Sequence, residues 1–449
     1  MSDGTDTLEA EVTDLLRSLI RNACVNDGTA GSGQEGRSVD LLRGYLEGPG
    51  LEIETFEPAP GRASLVARID GRAPADAPTV LLMGHTDVVP ANPAGWRRDP
   101  FGAELVDGEV WGRGAVDMLN LTASMAVATK QLARSGWSPK GSLVFLAVAD
   151  EEALGTHGAA WLTEHAADAV AADYVITESG GTPIPTAGGI KLPVVVGEKG
   201  TYWCTLAVKG TPGHASQPLR TDNALVKAAE VVRRLAAFRP RADIHDTWRR
   251  FVAGLELPAE LGRKLVDPDR IWETCEQLPS LGMARQAHAC THTTFAPTVV
   301  GGGTKTNVIP DRVEIQVDIR TLPGQTAADV QAMLGDVLGD LAPDVEISAQ
   351  SVDPSTASPV DTPLWDALQG IVGRFHPGAT TIPFLTVGAT DARFFRRMGV
   401  PSYGFGLFSS RLSFDQYTAM FHGDNERIDT ESLRLSAQMW EALARDFVA

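Results

Sequence analysis

The hydrophobic pattern of the chain changes period several times. Apolar residues recur at helical spacing over residues 9–21 and 39–46, then alternate over 51–56, and residues 63–69 form another candidate strand. Three short, almost wholly apolar runs follow, at 80–83, 143–148 and 174–176, as parallel strands buried on both faces require. This alternation of helix and strand predicts an α/β fold with a mostly parallel sheet flanked by helices. The first run ends at Gly84-His85-Thr86-Asp87, the second at Asp150-Glu151-Glu152, the third at Thr177-Glu178. Ligands bind beyond the carboxyl ends of the strands in open α/β sheets, so these polar groups are expected to meet on one rim.

From about Glu198 the pattern becomes strand 201–208, helix 223–237, strands 294–300 and 312–319, helix 327–338 and strand 345–351. That βαββαβ order predicts an inserted α+β, ferredoxin-like domain. Residues 240–292 interrupt it and read as mostly helical. After Pro354 the α/β character returns, with a helix near 364–375, a strand around 403–407 and a last helix over 430–447. The expected organisation is a discontinuous domain, 1–197 with 353–449, and an inserted domain, 198–352, with a helical insertion at about 240–292.

A chain of 449 residues is long enough for two such domains, and 43% hydrophobic with 21% charged residues is the composition of a folded globular protein. The formal net charge of −18 repels phosphate backbones and anionic membranes, so neither nucleic acid nor membrane is an expected partner. No apolar run approaches the roughly 18 residues of a membrane span, and Met1–Asp6 has no apolar leader core; a cytoplasmic location is expected. Cys24, Cys204, Cys275 and Cys290 form no CxxC pair and are too sparse for a disulfide framework. Asn120-Leu121-Thr122 spells a glycosylation acceptor, which without a secretory signal reads as chance.

Imidazole and carboxylates on one rim suit a hydrolytic two-metal site, which also needs a nearby carboxylate left free as general base. The adjacent Glu151 and Glu152 offer one group for each role. The segments Gly84–Pro90, Gly112-Arg113-Gly114-Ala115-Val116-Asp117-Met118, Ala149-Asp150-Glu151-Glu152, Thr177-Glu178, Gly213-His214-Ala215-Ser216 and His422-Gly423-Asp424-Asn425-Glu426 resemble, in order, the co-catalytic zinc metallopeptidases. That family includes aminoacylase, acetylornithine deacetylase, succinyl-diaminopimelate desuccinylase and glutamate carboxypeptidase.

The resemblance implies two Zn²⁺ ions, with Co²⁺ or Mn²⁺ as alternatives: His85 and Glu178 on one, Glu152 and His422 on the other, Asp117 bridging. It implies that Glu151 is the general base, that Asp87 orients His85, and that the Asp117–Met118 peptide is cis. It implies a lid and dimerisation role for the inserted domain, a homodimer in which His214 reaches the partner's site and helps to stabilise the tetrahedral oxyanion, and a substrate-binding pair, Asn307 and Arg320. Gly301–Gly303 and Gly388 would let backbone approach the ligand closely. The implied reaction is hydrolysis of an N-acyl amino acid or release of the C-terminal residue of a short peptide. In the resembled family, glutamate at position 178 accompanies deacylases and carboxypeptidases, against the alternative of a dipeptidase.

Leu119-Asn120-Leu121 stands where the family often has Lys-Gly-Gly, and Ala389 replaces a common glycine before Thr390-Asp391. A non-catalytic binding protein on the same scaffold is a further alternative, disfavoured because the base and every ligand are present; a serine hydrolase lacks its GxSxG elbow. Gly31-Ser32-Gly33-Gln34-Glu35-Gly36 fits GxGxxG but follows a helix, which argues against a dinucleotide site. His288, Cys290 and His292 would share a face of a strand, yet no fourth ligand accompanies them.

Overall fold

The computed structural model describes residues 2–73 and 76–449, with side chains from Thr7 onward, so the reading of Met1–Asp6 falls largely outside them. The three apolar runs form adjacent strands. Val80–His85 lies between Leu143–Val148 and Tyr174–Thr177, parallel to both, and Ser402–Gly404 extends the parallel set beside Tyr174–Thr177. Arg62–Ile69 and Glu52–Ala59 close one side as antiparallel strands. On the other side Gly189–Glu198 pairs in parallel with Thr380–Thr386. Because the three central strands run the same way, His85, Asp150–Glu152 and Glu178 emerge at one edge of the sheet.

Helices cover both faces. Ser2–Asn22, Leu119–Arg134, Pro363–Phe375 and Thr430–Leu443 enclose one core with Leu82, Phe145, Ile176 and Trp440. A smaller core on the other face joins Leu81, Met83, Val144 and Val148 to Leu162 and Phe395. Thirteen of the sixteen residues of Leu119–Arg134 are buried, which explains why its polar positions carry Thr and Ser that return bonds to their own turns. Asn120 is among those buried residues, so its glycosylation triplet is inaccessible.

The inserted segment forms the four-stranded antiparallel sheet expected of a ferredoxin-like unit, in the order Thr294–Gly302, Arg312–Thr321, Gly200–Lys209, Val345–Asp353. Ala224–Ala237 and Ala327–Leu338 pack on it through Val231, Leu235, Val330 and Leu334. Asn223 caps the first helix and a Thr326/Asp329 capping box opens the second. Residues 240–292 fold into four helices, Asp246–Gly254, Ala259–Leu265, Ile271–Gln277 and Leu281–Thr291. Their apolar faces do not join the four-stranded sheet. Trp248, Phe251 and Val252 pack with Val195, Ile382, Phe384 and Leu385 at the edge of the large sheet.

Several expectations change in detail. The strand expected around 403–407 is only Ser402–Gly404, since Phe405, Leu407 and Phe408 are buried without strand pairing. The last α-helix ends at Leu443 and continues as the π-turn Ala444–Val448. His288, Cys290 and His292 lie at the end of a helix rather than on a strand. The imidazoles of His288 and His292 stack at 4.9 Å with Trp272 edge-on to both, and Cys290 faces the Leu385 carbonyl instead.

Candidate metal and active centre

At the sheet edge, the backbone leaves two strands through turns unusual for residues with a Cβ, at Asp150 and Ser179, and His422, after the helix Phe414–Met420, likewise has positive φ. The left-handed turn at Asp150 starts the short 3₁₀ segment Glu151–Ala153. Glu152 accepts from His422 Nε2 at 3.2 Å, whereas Glu151 is directed to His85 and Glu178. Asp117 follows the Gly112–Val116 loop, and its two carboxylate oxygens each meet a histidine: Oδ1 lies 3.2 Å from His85 Nε2, Oδ2 3.2 Å from His422 Nε2. The Asp117–Met118 peptide is cis, as the resemblance implied.

Two groups of potential ligand atoms lie within 4.8 Å of one another, His85 with Glu151 and Glu178, and His85 with Asp117 and Glu152. Spacing alone makes Glu151 as eligible a ligand as Glu152. The electrostatics of the set call for cations. Burial, and then Glu178, push the Glu151 carboxyl well above its ordinary range; burial, and then Asp117, do the same to Glu178. Burial and Asp117 raise Glu152, one of whose oxygens is buried without a partner. Burial also acts on Asp117, but donation from His422 and His85 holds it below the usual carboxylate range. The bonds to Asp117 and Glu152 push His422 up to about 10. Burial alone would lower His85, yet its bond to Asp117 and the surrounding glutamates carry it well above the imidazole range. A buried N/O donor set with an orphaned carboxylate oxygen on Glu152 fits divalent cations.

Behind the candidate ligands sits a second layer of buried polar groups. Asp87 was expected to orient His85, and His85 Nδ1 does meet the Asp87 backbone carbonyl at 2.9 Å, with the carboxylate at 3.6 Å. The Asp87 carboxylate mainly accepts from the backbone N–H groups of Glu152 (3.0 Å) and Glu151 (3.3 Å) and from Asn26 Nδ2 (2.8 Å). It therefore ties the histidine strand to the glutamate turn. Arg62 lies between Glu35 (2.9 Å) and Asp150 (3.5 Å), and Asn26 bonds Asp150 and Arg62 as well. One guanidinium shared by two carboxylates agrees with Glu35, driven up to about 7 by burial and by Asp87. The GxGxxG segment belongs here: a Cβ on Gly33, at φ +78°, would lie 1.9 Å from the Arg62 guanidinium. Gly33 thus makes room for the Arg62–Glu35 ion pair and not for a phosphate.

Glu426 performs the matching task for Asp117. Fully buried, it accepts from the backbone N–H groups of Val116 (2.6 Å), Asp117 (2.9 Å) and Gly114 (3.0 Å) and from Arg113 Nη1 (3.0 Å). The signal was present, because Glu426 closes the His422 motif, but nothing in the sequence said that it folds back on the Gly112–Val116 loop. Asp391 is also buried close to the site; neither carboxyl oxygen has a hydrogen-bond partner, and burial drives it up to about 7.

A cavity of about 300 Å³ opens over these groups, lined by Asp117, Glu151, Glu152, Glu178 and His422 on one side and by Arg320 and Trp203 of the four-stranded sheet on the other. Arg320 is held by its own neighbour, donating to Asp318 at 2.7 and 3.1 Å and to Thr201 at 3.0 Å. Gly388 and Ala389 also line the cavity. His214 and Asn307 do not. Both are exposed, His214 on the strand Gly213–His214 and Asn307 just before its partner Val308–Ile309, with Ala215 N–H donating to the Asn307 carbonyl and Ser216 Oγ 2.7 Å from His214 Nδ1. Gly301–Gly303 lie at the exposed end of the strand Thr294–Gly302, away from the centre.

The chain is 29% identical to the N-fatty-acyl-amino acid synthase/hydrolase PM20D1 of Xenopus tropicalis over 82% of its length and 72% of that protein's. It is 28% identical to a succinyl-diaminopimelate desuccinylase of Rhodospirillum centenum, over 89% of each chain. Its fold superposes on an M20 family metallo-carboxypeptidase, Sso-CP2 from Sulfolobus solfataricus, with a TM-score of 0.74 and 18% identity, over 97% of this chain and 99% of that one. Residues 81–446 match the model of peptidase family M20/M25/M40, and the chain belongs to that family of metal-binding hydrolases.

Proposed function

We propose that the protein hydrolyses the amide bond of an N-acyl amino acid, or that next to the C-terminal residue of a short peptide, with Glu151 moving the proton. The observation that carries this reading is the divergence of two adjacent glutamates, Glu152 into contact with His422 and Glu151 into the cavity toward Glu178. His85 and Glu178 would hold one divalent ion, Glu152 and His422 another, with Asp117 shared; zinc is the ion the resemblance implies. Such ions, when bound, polarise a carbonyl and lower the pKa of water. Glu151 takes a proton from the attacking water and returns it to the leaving amine, a role suited to a carboxyl raised by burial. Arg320, whose Nε and Nη2 are engaged by Asp318, offers the remaining Nη1/Nη2 edge of its guanidinium to the free carboxylate of the amino acid.

In this reading residues 1–197 and 353–449 form the catalytic domain and 198–352 the lid and dimerisation domain. Val299 and Val300 are 51% and 63% exposed on an edge strand of the four-stranded sheet, and Leu225 and Val226 are 54% and 66% exposed on the helix beside it. An open apolar edge of that kind favours a homodimer. Four free, buried cysteines suit a cytoplasmic setting.

Glu151→Gln tests the central claim. The variant should bind two divalent ions per chain with kcat reduced about 10²- to 10⁴-fold. Unchanged turnover in the metal-loaded variant would sink the assignment.

A further inference from the structure

A second cavity, of about 370 Å³, adjoins the metal centre and shares Ser179, Thr386, Gly388, Phe421 and His422 with it. Its volume is within the roughly 300–1,000 Å³ range of small-molecule sites. Its walls are mostly aromatic and aliphatic, with Phe384 and Val195 from the large sheet and Phe414 and Tyr417 from the helix Phe414–Met420, while the Gln286 amide on the lining donates to Cys290 Sγ at 3.0 Å. Phe384 and Phe414 meet edge to face at 6.0 Å, as do Tyr417 and Phe421 at 4.9 Å, so the walls are braced by ring contacts. The lining residues include no lysine, arginine, aspartate or glutamate. Two hydroxyls on the lining, those of Thr182 and Tyr417, are buried without a partner, and both are neutral. The arginines at the site, Arg320 and Arg393, line the other cavity alone.

We propose that this apolar chamber receives the acyl group of the substrate, and that the enzyme is selective for N-acyl amino acids with a neutral, extended acyl chain. The inference rests on the function proposed above. Its geometry follows from the chemistry of the substrate. The carboxylate of an N-acyl amino acid lies on the amine side of the scissile bond and the acyl chain on the carbonyl side. With the carboxylate at Arg320 and the amide at the metal centre, the acyl chain enters the chamber across the shared rim. Beyond His422 on the shared rim, a succinyl carboxylate would meet phenyl rings and neither lysine nor arginine, at a large desolvation cost. The chamber therefore separates the chemistries named for the two relatives, and favours the fatty-acyl one.

The experiment is a series of N-acyl derivatives of one amino acid, from acetyl through butyryl, hexanoyl and octanoyl to dodecanoyl, with succinyl alongside. Hydrolysis by the metal-loaded enzyme is compared with equilibrium binding to Glu151→Gln. Both kcat/KM and affinity should rise about fourfold per methylene until the chamber is full. N-succinyl should fall at least about tenfold below N-butyryl, its match in length. Val387→Trp, at the chamber wall, should flatten the dependence on chain length, measured as the octanoyl-to-acetyl ratio. A flat series in the parent enzyme, a preference for succinyl, or a length dependence that instead follows the amino-acid side chain would each overturn the acyl-chamber assignment while leaving the hydrolase reading intact. Failure to cleave or bind any member of the series would overturn the N-acyl amino acid reading beneath it.

Discussion

At the scale of single residues, the candidate ligands are held less by their own contacts than by two buried carboxylates behind them. Asp87 fixes the glutamate turn through two backbone N–H groups, and Glu426 fixes the aspartate loop through three more and Arg113. A carboxylate gathering convergent N–H donors is hard to replace, because a carboxamide turns one of its acceptors into a donor facing other donors. Glu426→Gln should therefore misplace Asp117 and lower affinity for the divalent ions by about 10- to 100-fold, as loss of outer-layer partners typically does. Metal titration of the folded variant, with circular dichroism to establish folding, measures this; an unaltered affinity would show that the Gly112–Val116 loop holds its shape unaided.

At the scale of elements, legibility followed burial. The strands Val80–His85, Leu143–Val148 and Tyr174–Thr177 are buried on both faces and end in ionisable residues, so composition alone located them and their chemistry. The ferredoxin-like unit was legible for a different reason: its strand Arg312–Thr321 alternates between buried and exposed positions along nearly its whole length. Gly189–Glu198 and Thr380–Thr386 escaped notice because Pro193 and Pro383 interrupt them, and their partners lie about 190 residues apart in sequence. The helix Phe414–Met420 is too short for a periodic signal, although its Ser413/Gln416 capping box marks its start. Its absence from the sequence reading is why the apolar chamber went unseen.

The placement of the helical insertion was equally invisible, since apolar residues do not announce which surface they cover. Lys199, at the junction between the two sheets, helps to fix it: buried, it donates to the carbonyls of Ala289 and His292 at 2.7 Å each, at the end of the helix Leu281–Thr291. Replacing Lys199 with Met should remove those bonds and strand both carbonyls, a loss of about 1.5–3 kcal/mol in urea unfolding. A change within about 0.5 kcal/mol would mean that the insertion is seated by its apolar contacts with Ile382 and Phe384 alone.

At the scale of the whole molecule, the position of His214 poses a sharper question than any ligand. It is exposed and absent from the lining of the cavity, although the resemblance makes it an oxyanion-stabilising group. A homodimer built on the exposed edge of the four-stranded sheet resolves this if each subunit lends its His214 to the other's centre. Two consequences follow, and they can be separated. Val300→Glu with Val226→Glu places like charges on that edge and should convert the dimer to a monomer, by light scattering, with activity lost in parallel. His214→Ala and Glu151→Gln, each nearly inactive alone, should complement when co-expressed. In the mixed dimer the His214→Ala subunit keeps its Glu151 and receives an intact His214 from its partner, so one centre of two is whole. Isolated hybrids should therefore show about half of the parent turnover, the share set by two-fold symmetry. Hybrids as inactive as the single variants would place His214 in service of its own chain, and an active monomer would remove the dimer from catalysis altogether.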